Sequence, residues 1–170
     1  MKTILWATLS TNGNYARASA EHPPKPEATA DFAAHALAHG NFIVGRHTFE
    51  AFQAQPSRGG NPFLSTTIVV VSTATLALAG VQGAATPAAA LALVQKAGHS
   101  TALLAGGARL HNAFLEQDLV DELVVNIAPM LEDEGLKLQL PKGAHRELAL
   151  LDSKRLGGGL VQLRYAVKRG

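Results

Sequence analysis

The sequence predicts an α/β protein in which helices cover both faces of a mostly parallel sheet. Runs of apolar and β-branched residues alternate with runs that carry helix caps, which is the pattern of parallel strands joined by crossover helices. The first strand runs lack polar alternation, as expected for strands buried on both faces. Near the end of the chain, Gly157-Gly158-Gly159 separates two further strand runs and predicts an antiparallel hairpin at one edge.

The first predicted strand, Lys2–Leu9, is followed by a long loop that begins with Asn12-Gly13. Long loops are uncommon in compact domains and are often functional. The run Thr29–His39 predicts a helix, because its first residue is a good N-cap and Gly40 follows its last turn. Phe42–Val44 is then predicted to be a short buried strand.

Two helices and a strand are predicted in the middle of the chain. A helix over Thr48–Gln55 follows a glycine turn, and Thr66–Val71 is a strand because it is rich in β-branched residues. The pair Thr86-Pro87 combines an N-cap with proline at the first helical position. A helix over Pro87–Ala97 is therefore predicted, and Gly98 ends it.

The last third of the chain predicts one more strand–helix–strand unit and then the closing hairpin. These elements are the strand Thr101–Leu104, the helix Ala108–Gln117, the strand Glu122–Pro129, and the hairpin strands Glu147–Leu156 and Leu160–Arg169. The chain shows no internal repeat and no linker, so we expect a single domain over residues 1–170.

Charge and composition argue against several classes of protein. The net charge is +2 and the basic residues are scattered, whereas a nucleic-acid-binding protein needs a basic stripe. There is no cysteine for disulfides or thiolate metal sites. No stretch approaches the roughly 20 apolar residues of a membrane span, and the run Ile4–Leu9 is short for an export signal. We expect a cytoplasmic protein that binds neither nucleic acid nor membranes.

Two glycine-containing segments each lie between a predicted strand and a predicted helix. They are Gly45-Arg46-His47-Thr48-Phe49-Glu50 and Leu103-Leu104-Ala105-Gly106-Gly107-Ala108-Arg109-Leu110. Backbone N–H groups at a helix N-terminus are unpaired and carry partial positive charge, and glycine lets a ligand's oxygen atoms approach them. Two such turns in one small domain predict a site that holds both ends of a long phosphorylated cofactor.

These segments resemble the signatures of a known superfamily. The segment Gly45–Glu50 resembles the glycine-arginine-x-threonine-aromatic-glutamate signature of dihydrofolate reductases. The segment Ala105–Ala108, continuing through Phe114-Leu115 to Leu119–Leu123, is similar to the second signature and is closest to the pyrimidine reductases of riboflavin biosynthesis. The segment Ala7–Gly13 is similar to the first strand and mobile loop of both groups. The resemblance covers nearly the whole chain, in order.

The resemblance implies a three-layer α/β/α fold of about eight strands and NADPH as the hydride donor. The residues implied to hold the adenosine half and its phosphates are Gly45, Arg46, Thr48 and, near the 2′-phosphate, Ser72. Those implied to present N–H groups to the pyrophosphate are Gly106, Gly107, Ala108, Arg109 and Leu110. Those implied to lie beside the nicotinamide are Ala7, Thr8 and Tyr15. The family commonly joins its paired glycines by a cis peptide, so a cis bond between Gly106 and Gly107 is also implied.

A separate chemical argument favours NADPH over NADH. A ribose diol is usually held by a carboxylate near the end of the second strand of the binding unit. The segment Val71-Ser72-Thr73 contains no carboxylate, while Arg46 supplies a fixed cationic fork that suits a phosphate.

Asp31 is the candidate catalytic residue. Hydride addition to a carbon–nitrogen double bond is faster when the nitrogen is protonated, and dihydrofolate reductases place a carboxylate on their first helix for this purpose. Asp31 is the only acidic residue within the predicted first helix. The alternative is that Asp31 simply favours the helix dipole from the first turn.

The substrate is expected to lie against the first strand, the loop after it, and the first two helices. The residues predicted to contact it are Trp6, Asn12, Phe32, His35 and Phe49. The pyrimidine reductases begin their loop with aspartate-glycine, whereas this chain has Asn12-Gly13. The acidic segment Met130–Gly135 is either a wall for a cationic substrate or, as we favour, a solvated turn. His35 and His39 share a helix face, but no third ligand follows, so no metal site is predicted.

Together these features predict an NADPH-dependent reductase that transfers hydride to a pterin- or pyrimidine-type heterocycle or its ribosyl imine. The riboflavin branch pairs through its sheet edge, so a homodimer is expected. The alternative is a dimeric protein that binds NADP(H) without catalysis.

Overall fold

A central sheet organises the protein, whose computed structural model describes residues 1–16, 23–54, 61–74 and 80–168. The elements, in chain order, are β1 (Lys2–Ser10), α1 (Pro26–His39), β2 (Asn41–Gly45), α2 (Arg46–Gln53), β3 (Thr67–Val71), β4 (Gln82–Ala84), α3 (Pro87–Lys96), β5 (Thr101–Gly106), α4 (Ala108–Glu116), β6 (Glu122–Ala128), β7 (Leu148–Gly157) and β8 (Leu160–Val167). The eight strands of these described ranges form one sheet in the order β4-β3-β2-β5-β1-β6-β8-β7.

The sheet is parallel except at its C-terminal edge. Strand β1 lies between β5 and β6 and is parallel to both, and β2, β3 and β4 continue the parallel part. Strand β8 is antiparallel to β6, and β7 is antiparallel to β8. The predicted fold class is therefore confirmed: a mostly parallel sheet of eight strands that ends in an antiparallel hairpin.

Alternate residues of β1 enter two different cores, one on each face of the sheet. Leu5 packs with Val94 of α3 and Phe114 of α4 on one face. Trp6 packs with Ala36 of α1 on the other face, where α2 also lies. Phe114 is fully buried, and burial of such a side chain contributes about 1.5–3 kcal/mol to stability. Two helices on each face make the three layers that the resemblance implied.

Helices α1 and α2 begin earlier than predicted. Helix α1 starts at Pro26 rather than Thr29, because the fixed φ of proline suits the first helical position. The hydroxyl of Thr29, predicted to cap the helix, instead donates to the carbonyl of Lys25 at 3.1 Å. Helix α2 starts at Arg46 rather than Thr48, so the glycine turn is itself the helix N-terminus. The predicted helix end Gln55 lies outside the described residues.

The other elements agree with the predictions to within two residues, apart from β4, which was not predicted. The side chain of Thr86 caps α3 by accepting a hydrogen bond from the N–H of Ala89 at 3.2 Å. Gly40 ends α1 with a left-handed φ of 70°. The closing hairpin forms around Gly157 to Gly159, although its predicted last residue, Arg169, lies outside the described residues. In the described part of the chain, no helix is both long enough and apolar enough to cross a membrane.

Candidate active site

The two glycine turns meet at the carboxyl end of the sheet. Strands β2 and β5 are neighbours, and each leads directly into a helix, through Gly45 into α2 and through Gly107 into α4. The turns are so close that a Cβ atom added at Gly107 would lie 2.9 Å from Oγ1 of Thr48. The peptide bond between Gly106 and Gly107 is cis, as the resemblance implied. The N-termini of α2 and α4 therefore lie side by side at the carboxyl end of the sheet.

Beside this contact lies a groove of about 630 Å³, which we call the glycine groove. The predicted cofactor residues that line it are Gly45, Arg46, Thr48, Ser72, Gly107, Ala108, Arg109 and Leu110. Neither helix N-terminus receives a hydrogen bond from the side chain of its N-cap residue. The first N–H groups of α2 and α4 therefore remain available to an anionic ligand.

Arg46 is the cationic side chain nearest the start of α2 in this groove. Its Nε donates to Oε1 of Glu50, one turn further along α2, at 2.7 Å. This hydrogen bond and the charge of Arg46 hold the pKa of Glu50 below its usual range. Because the bond uses only Nε, the two terminal nitrogens of the guanidinium retain their donors for a phosphate.

A second cavity of about 750 Å³, the aromatic cleft, continues from the glycine groove. The two share Thr48 and Gly107 as lining residues. The predicted nicotinamide and substrate residues that line the aromatic cleft are Trp6, Ala7, Thr8, Tyr15 and Phe32. Gly106, which was predicted to hold the pyrophosphate, lines this cleft rather than the glycine groove. One elongated ligand can therefore lie across both turns, with an anionic part in the groove and a flat ring in the cleft.

His111 is a residue of the aromatic cleft that the sequence reasoning missed. It lies on α4, one turn after Gly107, and is fully buried. Its Nε2 is 3.2 Å from the carbonyl of Leu104, and its Nδ1 is 2.5 Å from the hydroxyl of Tyr15. Burial lowers the pKa of His111 to about 4, against a smaller opposing effect of the Leu104 carbonyl, so the ring is neutral at pH 7. The available signal was a histidine on the apolar side of α4, between Leu110 and Phe114.

A chain of polar side chains leads from helix α1 to Thr8 in the aromatic cleft. Nε2 of Gln162 donates both to Oδ2 of Asp31 and to Oδ1 of Asn126, each at 2.8 Å. Nδ2 of Asn126 then donates to Oγ1 of Thr8 at 3.2 Å. Asn126 is fully buried, so its hydrogen bond to Thr8 is shielded from water. The Thr8 oxygen is therefore held as the acceptor in this bond.

Asp31, the candidate catalytic carboxylate, lies outside the described lining of the aromatic cleft. Its carboxylate faces Gln162 and, at 3.5 Å, Nζ of Lys154. Asp31 lies in the second turn of α1, and both of these partners belong to the hairpin strands β7 and β8.

Three predicted substrate residues also lie outside the described lining of the aromatic cleft. Phe49 is buried in the core beneath α2. His35 packs on the ring of Trp6, with a centroid separation of 4.7 Å, and supports that wall from behind. Nδ2 of Asn12 donates to the carbonyl of Glu132 at 2.6 Å, so it joins the loop after β1 to the loop after β6.

The acidic segment after β6 is exposed at Asp133 and Glu134, as expected for a solvated turn, and it also borders a cavity beside the cleft. Asp133 and Glu134 line this cavity together with Tyr15 and Gly107. The backbone of Tyr15 donates to the carbonyl of Leu136 at 2.8 Å, so the segment is held against the site. In the described part of the chain, no group of three or more metal-ligating side chains comes together.

Comparison with known proteins identifies the family. The sequence matches the model of the RibD C-terminal domain over residues 2–161. No match is found among curated protein sequences.

Several solved structures have the same fold. A protein from Shewanella sp. PV-4, whose name assigns it to riboflavin biosynthesis, has 19% identity and a TM-score of 0.77, with 99% of this chain and 100% of that chain covered. A pyrimidine reductase-like protein from Corynebacterium diphtheriae has 14% identity and a TM-score of 0.75, with 99% and 92% covered. RibD from Acinetobacter baumannii has 20% identity and a TM-score of 0.72, and the match covers 98% of this chain but 58% of RibD.

The identities are low, so these structures establish the fold, while the family model covers nearly the whole sequence. The chain belongs to the RibD C-terminal domain family.

Proposed function

We propose that the protein is an NADPH-dependent reductase that transfers hydride to a pyrimidine- or pterin-type heterocycle or its ribosyl imine. The observation that carries the proposal is the contact between Gly107 and Thr48, where two uncapped helix N-termini open onto one continuous groove and cleft. Membership of the RibD C-terminal domain family supports a nicotinamide cofactor. The C. diphtheriae structure of the same fold is described as pyrimidine reductase-like, which supports the substrate class.

The glycine groove fits the phosphates of a dinucleotide. The N–H groups that begin α4 suit the pyrophosphate, and the absence of a Cβ at Gly107 leaves the space that Thr48 and a ligand share. Arg46 and Ser72 lie in the same groove and suit the 2′-phosphate that distinguishes NADPH from NADH. We therefore assign the adenosine half to this groove.

The aromatic cleft fits the nicotinamide and the acceptor ring. When bound, NADPH would supply a hydride from C4 of its nicotinamide to the acceptor carbon, leaving NADP⁺, and a solvent water would supply the proton that the acceptor nitrogen gains. Trp6, Phe32, Ala7 and Gly106 all line the cleft, and their contacts would hold the two rings against each other in a reactive orientation. The main role proposed for the chain is orientation of the two rings, and Asp31 acts on the cleft through Gln162, Asn126 and Thr8.

A homodimer is also proposed, on the basis of strand β7. This strand lies at the edge of the sheet, and Leu148, Leu150 and Leu151 on it are 43%, 59% and 49% exposed. An edge strand with exposed leucines favours pairing with another chain. A second copy of this chain, meeting it through the same edge, would bury these side chains.

The test is to mix the protein with NADPH and each member of a panel of ribosylaminopyrimidines and pterins. Consumption of NADPH is measured as the loss of the absorbance of the reduced nicotinamide. We expect turnover with at least one ribosylaminopyrimidine and slower or no turnover with NADH. Saturable NADPH binding without turnover on any member of the panel would instead support the non-catalytic NADP(H)-binding protein.

A further inference from the structure

The hydrogen-bond directions around His111 can be assigned from its partners. A backbone carbonyl only accepts, so Nε2 of His111 must carry the hydrogen that it donates to Leu104. In the neutral ring, Nδ1 is then an acceptor, and the hydroxyl of Tyr15, 2.5 Å away, must donate to it. The hydrogen of the Tyr15 hydroxyl is therefore committed to His111.

This leaves Tyr15 with an acceptor to offer the aromatic cleft. The lone pairs of its oxygen remain after the hydroxyl has donated to His111, and both residues line the cleft. Burial raises the pKa of Tyr15 well above its usual range, so the hydroxyl stays protonated. A ligand atom that pairs with Tyr15 must itself be a hydrogen-bond donor.

Thr8 offers the opposite polarity in the same cleft. Its oxygen accepts from Asn126, and within the described residues this is the hydrogen bond its hydroxyl makes. Its hydrogen is therefore available to an acceptor on the ligand. Next to Ala7 and Gly106, the cleft therefore has a donor at Thr8 and an acceptor at Tyr15.

We propose that Tyr15 and Thr8 recognise a primary carboxamide, with its N–H donating to Tyr15 and its carbonyl accepting from Thr8. The inference rests on the proposed function, because the primary carboxamide in question is the one on the nicotinamide ring of the proposed cofactor. Tyr15 and Thr8 are then binding residues, and His111 is a positioning residue that acts through Tyr15. Correct placement of the carboxamide fixes the rotation of the ring and hence the face from which hydride leaves.

The test compares the binding of NADP⁺ with that of its 3-acetylpyridine analogue, by calorimetry. The analogue keeps the carbonyl but replaces the NH2 group with methyl, so it cannot donate to Tyr15. We expect the wild-type protein to bind NADP⁺ about tenfold more tightly, since an unpaired buried acceptor is unfavourable. Tyr15→Phe should remove this preference by weakening NADP⁺ alone.

Thr8→Val is the matched variant. It removes the donor to the carbonyl, which both ligands possess, so it should weaken both by a similar factor and keep the preference. His111→Leu frees the Tyr15 hydroxyl to donate and should also remove the preference, with the fold checked by circular dichroism. Equal binding of the two ligands by the wild-type protein would overturn the inference while leaving the proposed function intact. If neither ligand binds, both proposals fail.

Discussion

Gly107 is the single residue on which the geometry of the site depends most. Its lack of a side chain lets α4 begin against Thr48 of the neighbouring turn, which joins the glycine groove to the aromatic cleft. Gly45, in the other turn, has more room: an added Cβ would find its nearest atoms at 3.6–3.7 Å, an ordinary contact. An added side chain is therefore expected to disturb the structure less at Gly45 than at Gly107.

Gly107→Ala is expected to weaken NADPH binding at least about tenfold and to lower the free energy of unfolding by about 1–3 kcal/mol. The added methyl group would lie 2.9 Å from Oγ1 of Thr48, so Thr48, which lines both the groove and the cleft, has to shift. Gly45→Ala is the matched control and should lower stability less. Calorimetry and thermal unfolding measure both effects, and equal losses of stability would contradict this view of the contact.

Arg46→Ala is expected to weaken NADPH binding about 10- to 100-fold and NADH binding no more than about threefold, because the lost partner is the 2′-phosphate. Glu50→Gln is the matched variant. It weakens the competing bond to Nε of Arg46, so it should tighten NADPH binding slightly. The dissociation constants of NADPH and NADH for each variant can be measured from the quenching of Trp6 fluorescence. Equal losses for both cofactors in Arg46→Ala would place the 2′-phosphate elsewhere.

The site residues that act through the backbone could be predicted from the sequence. Those whose role depends on partners far away in the chain could not. Gly45, Gly107 and their neighbours lie in continuous motifs, and the structure places them in one groove. Asp31 pairs with Gln162, which is 131 positions away, so no local pattern shows where its carboxylate points. His111 stayed hidden because a lone histidine on an apolar helix face has no motif around it.

Strand β7 is the element on which the proposed homodimer depends. Leu150→Lys is expected to raise the dissociation constant of the dimer at least about tenfold, because a charge would have to be buried between the two edges. Leu64→Lys is the matched control: Leu64 is 86% exposed and lies before β3, away from this edge. Sedimentation velocity over a range of concentrations distinguishes them. If both variants behave like the wild-type protein, β7 is not the interface.

The elements with strong local signals could be predicted, and the exceptions have physical causes. The cap Thr86 and the glycines of the hairpin define their elements through the backbone and were confirmed. Strand β4 has three residues, two of them exposed, so neither length nor periodicity marks it. The start of α1 was displaced because proline at its first position replaces a side-chain cap.

For the whole molecule, burial of His111 predicts a loss of stability in mild acid. Its pKa is about 4 in the folded protein and about 6.5 when unfolded, so the unfolded state binds more protons between these values. Stability is therefore complete above pH 6.5 and falls as the pH approaches 4, by about 3 kcal/mol. Denaturant unfolding at several pH values measures this slope.

His111→Leu supplies the control for this pH dependence. The variant is less stable at pH 7, because it leaves the Tyr15 hydroxyl and the Leu104 carbonyl without their partner. Its stability should nevertheless fall much less between pH 6.5 and 4. An unchanged slope in the variant would show that other groups cause the acid sensitivity.

We propose above all that a reduced nicotinamide dinucleotide binds across the two glycine turns, where Gly107 meets Thr48. Titration calorimetry of the wild-type protein and of Gly107→Ala with NADPH tests it most directly. We expect saturable one-to-one binding that the alanine variant weakens at least about tenfold. An absence of heat and of saturation at millimolar NADPH, or equal affinity in the two proteins, would contradict it.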